Sequence, residues 1–115
     1  MKNKFFEIIQ NHKQDQHWFV LPHGKDKYKI SCDTQNGGTR YLEAFPSEST
    51  VRPREPEDSV DQIWSIEAKG NGQYSIFCDT KHSGRRFLEA HNLNEKVRLN
   101  EASYDADQLW SFDKV

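Results

Sequence analysis

The chain has little cysteine, no long hydrophobic run and no excess of charge of either sign. Only 34% of its 115 residues are hydrophobic, and no run approaches the roughly 18 apolar residues that a membrane-spanning helix needs. Sixteen basic and eighteen acidic side chains leave a net charge of −2, whereas nucleic-acid-binding domains usually have a net or clustered basic charge. The sequence therefore predicts no membrane span and no nucleic-acid partner.

The N-terminus also lacks the uninterrupted run of about 7–15 apolar residues typical of a signal peptide. We therefore expect a protein that is cytoplasmic or released without a signal peptide. The two cysteines, Cys32 and Cys78, have no zinc-ligand spacing, and no metal or cofactor is predicted. On count alone they could be two free thiols or one disulfide, and a reducing compartment favours the thiols.

Aromatic residues, by contrast, are abundant: seven Phe, four Tyr and three Trp. Disordered chains contain few aromatic residues, and this length suits one domain with its own core. We expect a single globular domain over residues 1–115.

The dominant feature of the sequence is an internal repeat. Residues 28–34 (YKISCDT) recur as residues 74–80 (YSIFCDT), an offset of 46 positions. Between 28–69 and 74–115, 17 of 42 pairs are identical, far more than chance gives. The chain is therefore predicted to contain two full units, 28–73 and 74–115, preceded by a partial unit, 1–27.

The first unit can be aligned in two ways. An offset of 46 places Trp18, preceded by Gln16, on Trp64, so that the unit begins at its midpoint. An offset of 68 places Phe6 on Tyr74, so that the unit keeps its start and has lost about 22 residues later. The first alignment is preferred because it matches the signature Asp-Gln-x-Trp.

Each unit has the pattern of four short strands. Tyr28, Ile30 and Cys32 alternate with polar residues, as in a half-buried strand, and Gly38 and Gly84 end segments that predict tight turns. No window shows a helical stripe of apolar residues. The sequence therefore predicts an all-β fold, and four-stranded units of about 46 residues suit either a propeller or a β-trefoil.

A motif found once per unit favours the trefoil. Gln-x-Trp occurs at 16–18, 62–64 and 108–110, and strand patterns resembling Tyr-x-Ile and Ser-Gly-x-x-Leu-Asp precede the last copy. In this the chain resembles the ricin-B-type β-trefoil lectins. Actin-bundling, fascin-like trefoils have a similar Tyr-Leu-x-Ala and Gln-Ile-Trp pattern and remain an alternative.

Repeated residues are first of all candidates for the core, because a pseudo-threefold interior needs the same side chain in each unit. Trp18, Trp64 and Trp110 are therefore predicted to be buried, with each indole N–H bonded to an internal acceptor. Cys32 and Cys78 are predicted to act as small buried hydrophobic residues.

The resemblance also implies a sugar site. In such lectins a carboxylate, an aromatic face and the amide before the Trp converge on a shallow pocket, which suits vicinal hydroxyls and the apolar C–H patch of a sugar. Carried over to the last unit, the implied residues are Glu89, Tyr104, Asp107 and Gln108, with His91 and Asn92 after the strand. The middle unit offers a secondary set, Glu43, Asp61 and Gln62, with Asp58 at the aromatic position. A purely structural role for these polar residues is the competing interpretation.

The histidines have neither metal-ligand nor catalytic-triad spacing, and no phosphate-binding loop is present. We therefore expect a non-enzymatic lectin that binds a glycan or glycoprotein, with a galactose-type sugar in the last unit. The alternative is a protein-binding trefoil, of the cytoskeletal or protease-inhibitor type, that acts through loops such as residues 52–58. An abridged first unit would leave sheet edges open, so either a homodimer or N-terminal strands are expected to cover them.

Overall fold

The computed structural model describes residues 6–8, 19–34, 38–91, 96–103 and 108–114. These residues form antiparallel strands joined by turns and two short 3-10 helices, Pro46–Glu48 and Val60–Gln62. The strands are β1 (Phe6–Ile8), β2 (Phe19–Pro22), β3 (Tyr28–Thr34), β4 (Gly38–Phe45), β5 (Thr50–Arg54), β6 (Ser65–Gly70), β7 (Gln73–Thr80), β8 (Gly84–His91), β9 (Lys96–Asn100) and β10 (Phe112–Lys114).

The predicted turns lie between these strands. Gly38 and Gly84 begin β4 and β8 with φ of +71° and +72°, a conformation that glycine adopts without steric cost. In the second of these turns Thr80 Oγ1 accepts a hydrogen bond from the Ser83 amide at 3.0 Å, a bond typical of turn residues. Asp79 pairs with the side chain of Arg85 across the same hairpin at 2.7 Å.

Six strands pair around a closed ring. β2 pairs with β3, β6 with β7, and β1 with both β10 and β2. Two isolated bridges, Tyr28 with Trp64 and Tyr74 with Trp110, complete the ring between β3 and β6 and between β7 and β10. The ring is a barrel of two strands from each unit.

The remaining four strands form two hairpins, β4–β5 and β8–β9, which meet where Thr50 pairs with Arg98. Pro53 lies in β5 opposite Leu42, at a position where β5 pairs on one side only within the described part of the chain and needs no second ladder N–H. Residues 52–54, predicted to be part of a loop, are therefore strand, although they are exposed as expected. A six-stranded barrel with hairpins that pair beside it is the β-trefoil arrangement.

The first unit is abridged between its two barrel strands. Ten residues, 9–18, separate β1 from β2, against residues 35–64 between β3 and β6. The pairing of Phe19 with Ser31 matches that of Ser65 with Phe77, so β2 follows the offset of 46. The pairing of Phe6 with Lys114 matches that of Tyr74 with Ala68, so β1 follows the offset of 68. Each alignment is thus correct for one strand, and β1 covers the edges of both β2 and β10.

The core contains the repeated apolar residues. Trp64 is fully buried and Trp110 is 4% exposed. Their indole Nε1 atoms donate to the backbone oxygens of Leu42 and Leu88, each at 3.0 Å. The prediction of buried tryptophans with internal acceptors is confirmed for these two, whereas Trp18 lies outside the described residues.

Cys78 is a free thiol in the same core. Its Sγ lies 3.4 Å from the Val60 backbone oxygen. Burial, followed by the nearby charges of Asp61 and Asp79, raises its pKa to about 12. The thiol therefore acts as the small buried hydrophobic residue that the sequence predicted.

Candidate functional site

In the middle unit the glutamine of Gln-x-Trp, Gln62, is completely buried. Both its amide nitrogen and its amide oxygen form hydrogen bonds within the protein. Gln62 Nε2 donates to Glu43 Oε1 and to the Glu55 backbone oxygen, both at 2.9 Å, and Gln62 Oε1 accepts from the Glu57 amide at 3.0 Å. An amide has two N–H donors and one carbonyl acceptor. The three bonds therefore use both donors and hold the segment after β5 against the barrel.

The last unit repeats this network. Gln108 Nε2 donates to Glu89 Oε1 at 3.1 Å and to the Glu101 backbone oxygen at 2.8 Å, while Gln108 Oε1 accepts from the Ser103 amide at 3.0 Å. Gln108 is 3% exposed and Glu89 is 4% exposed. The two predicted site residues are therefore brought together, as an internal structural pair.

The buried Glu89 also forms an ion pair with Arg98. Arg98 Nε donates to Glu89 Oε2 at 2.6 Å, and Asn100 Nδ2 lies 3.3 Å from the same oxygen. Burial alone would raise the pKa of this carboxyl, but the hydrogen bonds from Arg98, Gln108 and Asn100 outweigh it and the net shift is downward. The carboxylate is consequently ionised at neutral pH, with its charge directed at protein partners.

The other predicted site residues divide into two groups. Asp61 Oδ1 accepts from the Lys81 backbone amide at 2.9 Å, so this carboxylate ties one unit to the turn of the next. Asp58 is exposed. Tyr104, Asp107, Asn92 and the side chain of His91 lie outside the described residues.

A shallow cleft of about 240 Å³ opens in the last unit, beside the buried glutamine. Gln108 forms part of its wall, and the backbone segment that the glutamine holds forms another part. The remaining lining residues are Lys69 of β6, Ser75 of β7, Phe87 of β8, Ala102 and Ser103 after β9, and Leu109 before Trp110. The cleft therefore lies in the unit where the sequence predicted a site, and Ser103 leads directly to Tyr104.

One lining side chain has an unmet hydrogen-bonding capacity. Ser75 is 3% exposed, and its hydroxyl has no hydrogen-bond partner among the described residues. A buried polar group without a partner costs about 1–3 kcal/mol relative to a satisfied one. A bound molecule that supplied the hydrogen bond would recover that free energy.

The middle unit shows what occupies the same place in its own copy of the fold. Lys29 is the counterpart of Ser75 at the repeat offset of 46. Its Nζ lies 4.9 Å from the centroid of the Tyr41 ring and 3.4 Å from the Glu57 backbone oxygen. Tyr41 and Glu57 are the counterparts of Phe87 and Ser103, so the lysine side chain lies across the position of the cleft.

Sequence reasoning found Gln108 but did not assign Ser75, Phe87 or Ser103 to a site. Apart from Tyr104, His91 and Asn92, it selected residues that the units share, whereas the cleft depends on a difference between the units, Lys29 against Ser75. A large side chain in one unit against a small one at the same position in the next, such as Lys29 against Ser75, was the signal that could have located it.

Within the described parts of the chain, no group of three or more His, Cys, Asp or Glu side chains is arranged to hold a metal ion. The same residues contain no helix long and apolar enough to cross a membrane.

No family model matches the chain, and no curated protein matches it. Among solved structures it is similar to ThreeFoil, a designed protein with threefold symmetry, with a TM-score of 0.69 and 18% sequence identity. The match covers 91% of this chain and 76% of that one. At this identity the likeness establishes the β-trefoil fold, which agrees with the barrel and hairpins described above.

Proposed function

We propose that the chain is a non-enzymatic carbohydrate-binding β-trefoil whose sugar site is the cleft of the last unit. The observation that carries the proposal is the combination, in one shallow cleft, of the aromatic ring of Phe87 with the buried hydroxyl of Ser75, which has no hydrogen-bond partner among the described residues. Aromatic faces cover the apolar C–H patch of a sugar ring, and a serine hydroxyl both donates to and accepts from sugar hydroxyls.

The size of the cleft is consistent with a single sugar ring. Its volume of about 240 Å³ lies below the roughly 300 Å³ at which pockets for drug-sized ligands begin. We therefore expect recognition of one terminal monosaccharide of a glycan or glycoprotein.

The predicted site residues take different parts in this proposal. Gln108 forms a wall of the cleft, and Glu89 fixes the orientation of the Gln108 amide through the 3.1 Å bond. Both act by positioning, because their hydrogen bonds are used within the protein. Tyr104 and Asp107 follow Ser103 closely in sequence and remain predicted sugar contacts.

The secondary set in the middle unit has less support. Lys29 lies over Tyr41 there, so the aromatic face is covered by the protein's own side chain. We expect the last unit to be the stronger site.

A glycan array followed by calorimetry tests the proposal. Ser75→Ala removes one hydroxyl that is unsatisfied among the described residues and no packing volume beyond it, so the variant should keep or gain thermal stability while sugar affinity falls by about 1–3 kcal/mol. Phe87→Leu should weaken binding as well, whereas Tyr41→Leu, the matched change in the middle unit, should not. Absence of any sugar bound across the array, or equal affinity in all three variants and the wild type, would refute the assignment.

A protein-binding function is the second candidate. Residues 52–58 are exposed, and Val60, just after them, is a large hydrophobic side chain with 51% of its surface exposed. Recovery of a protein partner whose binding is lost in Val60→Asp, together with no sugar binding, would favour this function.

A further inference from the structure

We infer that the cleft of the last unit takes a ligand carrying a primary ammonium group, so that the preferred sugar is an amino sugar. The inference rests on the proposed function for its sugar component. Its cationic component rests on a separate observation, the side chain that fills the equivalent place in the middle unit.

Lys29 shows the geometry that such a ligand would adopt. Lys29 belongs to β3, and its ammonium lies 4.9 Å from the Tyr41 ring centroid and 3.4 Å from the Glu57 backbone oxygen. A cation within about 6 Å of a ring centroid is attracted by the negative face of the ring. In effect, the middle unit contains the cleft with a tethered ammonium group already bound.

The last unit has the same framework without the tether. At the offset of 46, Phe87 occupies the position of Tyr41. In the same way Ser103 corresponds to Glu57, and Gln108 to Gln62. Ser75 replaces the lysine and adds a buried hydroxyl oxygen that has no partner among the described residues. An external ammonium over Phe87 would donate one hydrogen bond to this oxygen, since a hydroxyl can accept as well as donate.

Lys69 brings a positive charge to the rim, but that charge is shared with a partner. Its Nζ lies 3.4 Å from Glu67 Oε1, and both side chains are about half exposed. Solvent and the ion pair screen its repulsion of a bound cation. Lys69→Gln should therefore raise the affinity for an ammonium ligand only slightly, and lower it only slightly for an anionic one.

Two reciprocal substitutions test the inference. Ser75→Lys should place a tethered ammonium in the cleft, so that binding of an amino sugar falls more than tenfold while the protein stays folded. Lys29→Ser should open the matching cleft over Tyr41, so that the number of bound amino sugars rises from one to two. The pair exchanges the same two side chains between the same two positions.

The ligands to titrate at pH 6, by calorimetry, are galactosamine, galactose, galacturonic acid and lysine amide. We expect galactosamine to bind at least tenfold more tightly than galactose, and galacturonic acid to bind most weakly. If galactose binds as tightly as galactosamine, or the acid binds best, the ammonium inference is overturned and the sugar function stands. If lysine amide binds and no sugar does, the ammonium inference stands and the sugar function falls. If none of the four binds, both are wrong.

Discussion

Gln108 donates a 3.1 Å hydrogen bond to Glu89 across the last unit, and the two side chains are both more than nine-tenths buried. Two residues further on, Trp110 donates to the backbone oxygen of Leu88, the neighbour of Glu89. The Gln-x-Trp motif therefore attaches to adjacent residues of β8 by two hydrogen bonds. The same pair of bonds joins Gln62 and Trp64 to β4, so the motif fastens each hairpin to the barrel.

Removing the buried amide should destabilise the fold. In Gln62→Ala the Glu57 amide and the Glu55 backbone oxygen lose their partner, and the Glu43 carboxylate loses a donor. Leaving buried polar groups unmatched costs about 1–3 kcal/mol each, so we expect the free energy of unfolding to fall by at least about 2 kcal/mol in a urea titration. Val60→Ala, at an exposed position, is the control and should change it by less than about 0.5 kcal/mol.

Trp64→Ala and Trp110→Ala should each cost about 3–5 kcal/mol, because each deletes a large core side chain and leaves a cavity. Trp→Phe at the same positions keeps most of the volume and loses the bond to Leu42 or Leu88, so a smaller loss is expected. Thermal unfolding followed by circular dichroism measures both. Wild-type stability in either alanine variant would contradict the core assignment.

The repeat made the fold predictable because a duplicated pattern constrains strands, turns and core together. Tyr28, Gly38 and Trp64 each recur 46 residues later in the same structural role. The site was less predictable, since a shared residue such as Gln62 serves the scaffold of every unit. Resemblance to lectins alone could not distinguish a glutamine that faces a sugar from one whose amide is bonded within the protein. The distinction depends on the backbone groups of residues 55–57 and 101–103, to which the two glutamines are hydrogen-bonded.

Glu89 should make stability depend on pH in the acid range. The hydrogen bonds from Arg98, Gln108 and Asn100 lower its pKa in the folded protein below the ordinary value of 4.5. A lowered carboxyl pKa contributes stability above the unfolded-state pKa, and that contribution is lost as the pH falls through the folded-state pKa. We expect Glu89→Gln to be less stable than the wild type at pH 7 and the difference to shrink below about pH 4.5. Parallel stability curves from pH 7 to pH 3 would contradict this, and titration of the Glu89 carboxyl by NMR measures the pKa directly.

Cys78 should be inert to thiol reagents in the native protein. Burial raises its pKa to about 12, and only the thiolate is nucleophilic. At pH 8 iodoacetamide should leave Cys78 unmodified in the folded protein and modify it once urea is added. Peptide mapping distinguishes this residue from Cys32, and rapid labelling of Cys78 in the native state would contradict its place in the core.

Tyr104 provides the sharpest test of the sugar site predicted from sequence. It follows Ser103, a lining residue of the cleft, and its counterpart in the middle unit is Asp58, so the position is not part of the repeated core. Tyr104→Ala should therefore leave the free energy of unfolding unchanged and lower sugar affinity about tenfold, the order expected for loss of an aromatic contact of about 1.4 kcal/mol. Asp58→Ala is the matched control and should leave affinity unchanged. Calorimetric titration of the sugar identified on the array measures both, and affinity that survives Tyr104→Ala but is lost on Glu43→Gln would move the site to the middle unit.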